Sequence, residues 1–217
     1  KVIDTNNYGG TDGKKWNSAG TNNWSTASLK ADLNETYLTT LLGTSNVNSK
    51  LSSGIANAKW HLGGASDSNF ETLTADGLYT EERNTSAIYS GNPASIYAKV
   101  GLMYPSDFGY ATVGGTMINR AECRANALYT WNNSSYSDCK NNDWLYTSQS
   151  SFINGCEWLL SPYSSYPSAG VLLAYGNIVF YDTGLRKYAV RPTFYLDSSM
   201  LKIVGGLGTR DNAYRIG

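Results

Sequence analysis

Residues 157–198 read EWLLSPYSSYPSAGVLLAYGNIVFYDTGLRKYAVRPTFYLDS, and this stretch decides the fold. Its two ends, Trp158–Pro162 and Val190–Asp197, are apolar blocks that predict strands. The tract between them follows no clean alternation and mixes aliphatic, aromatic, cationic and small side chains. Such a mixture between rigid frames indicates a displayed surface rather than a core, which favours ligand binding over catalysis.

Composition places limits on the function. The chain has 217 residues, enough for one large domain with its own core. It carries 17 basic and 17 acidic side chains, so no basic field favours nucleic acid as a partner. Charged residues make up only 16%, whereas Gly (22) and Tyr (17) are abundant. This balance is typical of bacterial surface and phage-exposed proteins, and also of other loop-rich β domains.

The beginning of the chain bears on membrane attachment. No run approaches the roughly 18 apolar residues that span a bilayer. Val2 and Ile3 resemble the end of a strand, so we expect further residues upstream of Lys1. A membrane association would then depend on an N-terminal anchor among those residues.

The three cysteines, Cys123, Cys139 and Cys156, allow at most one internal disulfide. Cys123 and Cys139 bracket a polar segment, and a bond between them would close a loop of about 15 residues and contribute ~3 kcal/mol. Cys156 would be left over as a half-buried small hydrophobe. The absence of a CxxC motif and the single histidine, His61, argue against zinc.

The order of patterns predicts one α+β domain over residues 1–217. Ser25 is a candidate N-cap for a helix with an apolar stripe of Leu29, Leu33, Tyr37, Leu38 and Leu41. A polar excursion over 63–95 leads to a predicted strand at 96–104. Further strands are predicted near 171–175, 177–182, 189–196 and 201–204.

Six motifs occur in order along nearly the whole chain. They are Trp24–Ser25 with the helix after it, Val100–Ala111 (VGLMYPSDFGYA), Asn142–Leu145, Trp158–Pro162 (WLLSP), Val190–Leu196 (VRPTFYL) and Gly205–Ile216. Together they resemble a bacterial surface-protein family common in gut Firmicutes, whose members look like C-type-lectin-fold domains, some with a pilin-like N-terminal helix. The resemblance implies short antiparallel strands with flanking helices and long loops.

Within C-type-lectin folds, the chain is similar to variable proteins that are diversified by retroelements. In these, a near-C-terminal segment displays altered side chains as a ligand-binding face, which the resemblance places at residues 170–188. The implied ligand-binding residues are Tyr166, Gly170, Val171, Leu173, Tyr175, Asn177, Val179, Phe180, Tyr181, Leu185, Arg186 and Tyr188, flanked by Tyr163, Trp131 and Trp144. We expect Ala169, Leu172 and Ile178 to face inward.

A plainer interpretation of this tract stays open. Ordinary strand pairs are also rich in Val, Leu, Tyr and Phe, and Asn is frequent throughout the chain. Sequencing the encoding locus separates the two interpretations, because diversification requires a nearby reverse transcriptase and a template repeat.

No motif predicts catalysis. The chain has no G-x-S-x-G, HExxH, P-loop or Rossmann glycine pattern, and a nucleophile–base pair would have to use His61. We therefore expect a protein that is not an enzyme and uses no cofactor and no metal. The Asn and Asp residues over 138–143 could supply oxygen ligands to calcium, but they are typical of turns. Arg191 and Asp107 both stand in apolar blocks, so we expect them to form a buried ion pair.

These observations predict a surface-displayed, extracellular domain that binds a protein or glycan on another cell or on a phage. A structural role remains as the alternative, in which the domain is a minor pilin or a surface-assembly subunit without a dedicated ligand. Oligomer formation through the 170–188 tract would favour that alternative.

Overall fold

Helical periodicity early in the chain and short extended segments late in it produce an α+β fold, as the sequence predicts. The computed structural model describes residues 1–4, 6–43, 54–147, 155–199, 202–207 and 215–216. Strands from near both ends of the chain meet in one sheet.

Seven short α-helices are described. They are α1 (Ser28–Asp32), α2 (Leu38–Gly43), α3 (Ala75–Arg83), α4 (Pro105–Ala111), α5 (Arg120–Ala125), α6 (Ser137–Asn141) and α7 (Trp144–Thr147). A π-helical turn, Leu33–Tyr37, joins α1 and α2 into one run. Over the described ranges, none of the helices has the length and apolar character needed to cross a membrane.

The first helical run buries its apolar stripe as predicted, but it begins later than expected. Leu29, Leu33 and Tyr37 are buried in the core. The predicted N-cap Ser25 is wrong, because this residue lies inside a 3-10 turn, Trp24–Thr26, and Ala27 precedes α1. Ser25 instead donates its backbone N–H to the side chain of Asn23 over 3.0 Å.

Among the residues that the structure describes, ten strands form four small antiparallel sheets. They are β1 (Val2–Ile3), β2 (Ala58–His61), β3 (Ser95–Ala98), β4 (Val100–Gly101), β5 (Glu157–Pro162), β6 (Ser168–Leu172), β7 (Ile178–Asp182), β8 (Thr193–Phe194), β9 (Ile203–Gly205) and β10 (Arg215–Ile216). Their orders are β1-β8-β4, β2-β3, β5-β6-β7 and β9-β10. The predicted strand at 96–104 is divided into β3 and β4.

Two apolar clusters cover the two faces of the β5-β6-β7 sheet. Trp158 and Leu160 belong to one cluster, whereas Leu159 belongs to the other. Because side chains alternate across a strand, β5 is buried on both faces along its whole length. The two apolar blocks that frame the 157–198 stretch are therefore scaffold, as the sequence predicts, and Ala169, Leu172 and Ile178 also face inward.

The predicted ion pair between Arg191 and Asp107 is wrong. Arg191 is fully buried and binds both carboxylate oxygens of Glu157, at 2.8 and 2.6 Å. Asp107 instead pairs with the Lys1 ammonium and accepts the backbone N–H of Tyr104 at the start of α4. The reason is register, because β5 runs beside the segment that leads into Arg191, with Trp158 N donating to Ala189 O over 3.0 Å.

The predicted disulfide is confirmed. Cys123 on α5 and Cys139 on α6 are bonded, with their Cα atoms 5.4 Å apart, and both side chains are fully buried. Cys156 lies outside the disulfide and is half-buried at the start of β5, as predicted.

Candidate ligand-binding surface

The predicted binding tract is divided between the two ends of the β5-β6-β7 sheet. Strands β6 and β7 pair from Ser168 opposite Asp182 to Leu172 opposite Ile178. The β5–β6 turn and the β7–β8 loop therefore share one end, which we call the Asp182 end. The β6–β7 turn lies at the other end, about 14 Å away along the strands.

Burial divides the twelve predicted residues further. Tyr166, Tyr175, Leu185 and Arg186 are exposed; Leu173, Val179, Phe180 and Tyr181 are half-buried; Gly170, Val171, Asn177 and Tyr188 are buried. Of the flanking aromatics, Trp131 and Tyr163 are buried, whereas Trp144 is 47% exposed. The exposed predicted residues do not form one patch, because Tyr175 lies in the β6–β7 turn and the other three lie at the Asp182 end.

The buried residues of the tract, Gly170, Val171, Asn177 and Tyr188, do not face solvent as the predicted binding face requires. Strand β6 is the central strand, so both of its faces are covered and Val171 packs in the core. A Cβ on Gly170 would contact Leu159 at 3.3 Å. Tyr188 packs its ring on Trp158, with the ring centres 4.9 Å apart. These side chains support the surface from beneath and do not reach a ligand.

The β7–β8 loop is held firmly at its base. Asp182 accepts the backbone N–H groups of Gly184 and Leu185, at 2.8 and 3.0 Å. The buried Thr183 hydroxyl donates to Thr21 O over 3.0 Å, and Asn17 N donates to Thr183 O over 3.2 Å. The tip that follows, from Leu185 to Lys187, is exposed, with Leu185 79% accessible.

Aromatic rings line one side of the Asp182 end. Tyr163 stacks between Phe180 and Tyr166, with ring centres 4.6 and 6.2 Å away. The Tyr163 hydroxyl donates to Asp67 over 2.6 Å. Burial, followed by this hydrogen bond, raises the pKa of Tyr163, and the Asp67 carboxylate also raises the pKa of Tyr166. Of this row, Tyr166 is the exposed member.

Asn22 fixes the β5–β6 turn, and sequence reasoning missed it. Its side-chain amide donates to the carbonyls of Tyr163, Tyr166 and Ser168, at 2.7, 2.9 and 3.1 Å. Asn92 donates in turn to the Asn22 side-chain oxygen over 2.9 Å. Because Asn22 is fully buried, this network holds Tyr166 in place from the interior. One Asn among many in an Asn-rich loop gave no signal of this role.

Arg186 lies against Tyr181, and the next residue along the loop, Lys187, lines a polar cleft. The Arg186 guanidinium lies 5.1 Å from the centre of the Tyr181 ring. A cleft of about 580 Å³ opens beside Lys187 and the N-terminal loop. Lys14, Lys15 and Asp32 contribute to its wall. The cleft could not be predicted from the sequence, because its residues come from distant parts of the chain.

The acidic side chains of the core, and those of the 138–143 segment considered for calcium, have structural partners. Glu157 binds Arg191, and Glu82 accepts the backbone N–H of Ser106 over 2.8 Å. Asp143 accepts two backbone N–H groups at the start of α7, and Asp138 accepts two from the 117–118 turn. Over the described ranges, no group of three His, Cys, Asp or Glu side chains is placed to hold a metal ion.

The lone histidine is tied to a tyrosine through its backbone. Tyr104 Oη donates to His61 O over 3.0 Å and accepts His61 N–H over 2.8 Å. Burial, with Arg83 and Lys59 nearby, lowers the pKa of the His61 imidazole.

The β7–β8 loop thus has a hydrogen-bonded base at the Asp182 end and an exposed tip, with an aromatic row near the base and a polar cleft beside Lys187. Tyr166 and Leu185 supply exposed apolar area, and Arg186 and Lys187 supply exposed positive charge. Comparison of the chain with protein-family models, with curated proteins and with solved structures finds no match.

Proposed function

We propose that this chain is a non-enzymatic binding domain of C-type-lectin-like fold, which recognises its ligand through the Asp182 end of the β5-β6-β7 sheet. The contact residues are Tyr166, Tyr181, Leu185 and Arg186. The observation that carries the proposal is a contrast within the β7–β8 loop. The base of the loop is buried and hydrogen-bonded, whereas its tip is exposed to solvent. A preorganised tip loses little entropy on binding.

Two features support the architecture and the location. Strand β1 pairs with β8, so the domain is closed by segments from near both ends of the chain, which is compatible with a C-type-lectin-like fold. The disulfide between Cys123 and Cys139 favours an oxidising compartment, because such bonds persist mainly outside the reducing cytosol. Both features fit a protein displayed at the cell surface, facing a protein or glycan on another cell or a phage.

Diversification by a retroelement remains part of the proposal, now restricted to positions that a ligand can reach. We expect sibling sequences to vary at Tyr166, Leu185 and Arg186, and to keep Val171 and Tyr188 apolar or aromatic because these are buried. An encoding locus without a reverse transcriptase and template repeat would contradict diversification. That result would not contradict the proposed binding surface.

The binding surface is tested with the labelled domain on intact bacterial cells, purified phage particles and an array of glycans. The variant Leu185→Ala/Arg186→Ala is expected to weaken capture by about tenfold or more, as for central contact residues of an interface. Tyr175→Ala is the matched control, because this tyrosine is 70% exposed at the opposite end of the sheet. Equal losses in both variants, or capture by neither the wild type nor the variants, would contradict the proposal.

An assembly role is the second candidate, and one observation favours it. Ile203, Val204 and Leu207, in and beside β9, are 65, 63 and 72% exposed, which is unusual for neighbouring aliphatic residues. A structural subunit would use them to pack against adjacent copies. Sedimentation of the purified domain tests this, since oligomers that dissociate in Ile203→Ser/Val204→Ser would favour assembly, whereas a monomer at high concentration would reject it.

A further inference from the structure

Three lysines and two aspartates meet in the cleft beside the β7–β8 loop. Lys14 is already paired, with its ammonium 2.7 Å from Asp32 and 4.9 Å from the centre of the Tyr8 ring. Lys15 and Lys187 also line the cleft, with Asp12 as the remaining carboxylate. In the part of the chain that the structure describes, neither Lys15 nor Lys187 forms an ion pair.

The backbone brings the segments that carry these two lysines together. Lys14 N donates to Tyr188 O over 2.9 Å, and Tyr188 N donates to Lys14 O over 3.0 Å, so the two residues form an antiparallel bridge. Lys15 follows Lys14 and Lys187 precedes Tyr188, so both lysines lie next to this isolated bridge. Cβ atoms at directly opposed positions of an antiparallel pair lie about 4.5–5.5 Å apart. Like charges at directly opposed positions are destabilising. An anion bound between them would remove that repulsion.

The other residues that line the cleft indicate which kind of molecule carries the anionic group. The hydroxyls of Ser18 and Ser28 lie 3.2 Å apart and also face the cleft, together with the main chain of Gly13. Leu29 is the one apolar side chain among the described residues that line it. A volume of about 580 Å³ is in the usual range for a small-ligand site, but the walls of such sites are normally more apolar. Polar walls of this kind suit a hydroxylated ligand.

We propose that the cleft binds a saccharide residue that bears a carboxylate or a sulfate, with the anionic group between Lys15 and Lys187. Sugar hydroxyls then exchange hydrogen bonds with Ser18, Ser28 and the Asp12 carboxylate. This inference rests on the proposed function, because it names the ligand chemistry recognised beside the same loop. It goes further in selecting an acidic glycan over a neutral glycan or a protein.

The test is an NMR titration of the ¹⁵N-labelled domain with glucuronic acid, N-acetylneuraminic acid and galactose 6-sulfate. Glucose and galactose are the neutral counterparts, and sodium acetate and sodium sulfate supply the anions alone. We expect the acidic sugars to shift the amide signals of Gly13, Lys15 and Lys187, and added salt to weaken the effect. Comparison of the affinities for the two carboxylated sugars and the sulfated sugar shows which anionic group the lysines prefer.

Two variants and one control link binding to the lysines. Lys15→Gln/Lys187→Gln is expected to lower affinity by about tenfold or more, since it removes charge-assisted hydrogen bonds. Lys59→Gln/Lys99→Gln removes two exposed lysines elsewhere and should bind as the wild type. Lys187→Glu, which places an opposite charge beside Lys15, should abolish binding while the melting temperature stays equal or rises.

Each contrary outcome has a definite meaning. Equal affinity for neutral and acidic sugars, or for acetate and sulfate alone, would overturn the assignment to an acidic saccharide. Absence of shifts with all three acidic sugars would overturn it too. In that case a loss of capture in Leu185→Ala/Arg186→Ala would still support the proposed function, so the two failures are distinguishable.

Discussion

The carboxylate of Glu157 and the guanidinium of Arg191 form a two-point ion pair with both side chains fully buried. Glu157 begins β5 and Arg191 stands just before β8, so the pair joins β5 to the segment that follows the proposed binding loop. The loop 182–188 is therefore fixed beyond its last residue by this pair, and at its first residues by the hydrogen bonds to Asp182. Its support comes from polar pairing as well as from the apolar core.

Breaking this pair from one side should be costly. Arg191→Met leaves the Glu157 carboxylate buried without its cation, and we expect a loss of about 3–5 kcal/mol in the free energy of unfolding. The double variant Glu157→Met/Arg191→Met should lose less than the two single variants together, because no uncompensated charge remains. Urea unfolding measures both. Additive losses would show that the pairing contributes little.

Glu82 should make stability depend on pH. Burial raises its pKa to about 8 from an ordinary value of 4.5, against the lowering effect of the Ser106 hydrogen bonds. Between about pH 4.5 and 8, Glu82 therefore keeps its proton in the folded protein and loses it in the unfolded chain. Stability from this group is complete below about pH 4.5 and falls as the pH rises toward 8, by up to ~1.4 kcal/mol per pH unit.

The variant Glu82→Gln isolates this effect. The amide stays neutral at every pH and can still accept the backbone N–H of Ser106, so the difference in unfolding free energy between wild type and variant should shift in favour of the variant between pH 5 and 8. Urea unfolding at several pH values measures it. A difference that does not change with pH would show that Glu82 is ionised in the fold.

The disulfide should contribute to stability through the loop that it closes. Cys123→Ala/Cys139→Ala is expected to lose about 3 kcal/mol, because the bond joins residues 16 positions apart and restricts the unfolded chain. Cys156→Ala is the matched control, and it should lose less because this half-buried side chain lies outside the bond. If reductant leaves the unfolding midpoint of the wild type unchanged, this expectation fails.

Much of the scaffold could be predicted from the sequence because its signals are local. The WLLSP and VRP blocks were predicted to be strand-forming scaffold, and both are buried. The polar segment between Cys123 and Cys139 indicated a loop closed by a disulfide, and the two cysteines are bonded. The partner of Arg191 could not be predicted in this way. Its identity depends on β5 lying beside residue 189, a contact between distant segments that leaves no pattern in either one.

The residues of the proposed binding face could be predicted only in part, for a related reason. The mixed side chains of 170–188 indicated display, yet β6 became the central strand of its sheet, and a central strand between two clusters has no free face. Tyr175 and Leu185 are both exposed, as a binding surface requires. The pairing of β6 with β7 places them at opposite ends of the β5-β6-β7 sheet. Lys15 and Lys187 share one cleft only through the bridge between Lys14 and Tyr188, which joins segments distant in sequence.

Asn22 links the interior to the proposed binding surface, and its removal should affect both. Asn22→Ala leaves the carbonyls of Tyr163, Tyr166 and Ser168 without their shared donor, and we expect a loss of about 1–3 kcal/mol in unfolding free energy. Amide exchange over residues 163–168 should accelerate more than elsewhere, since the β5–β6 turn loses its anchor. Asn126→Ala is the control, because its amide makes one exposed hydrogen bond, to Glu122 O over 2.7 Å. Uniform acceleration across the domain would mean that Asn22 stabilises the fold as a whole and does not position Tyr166.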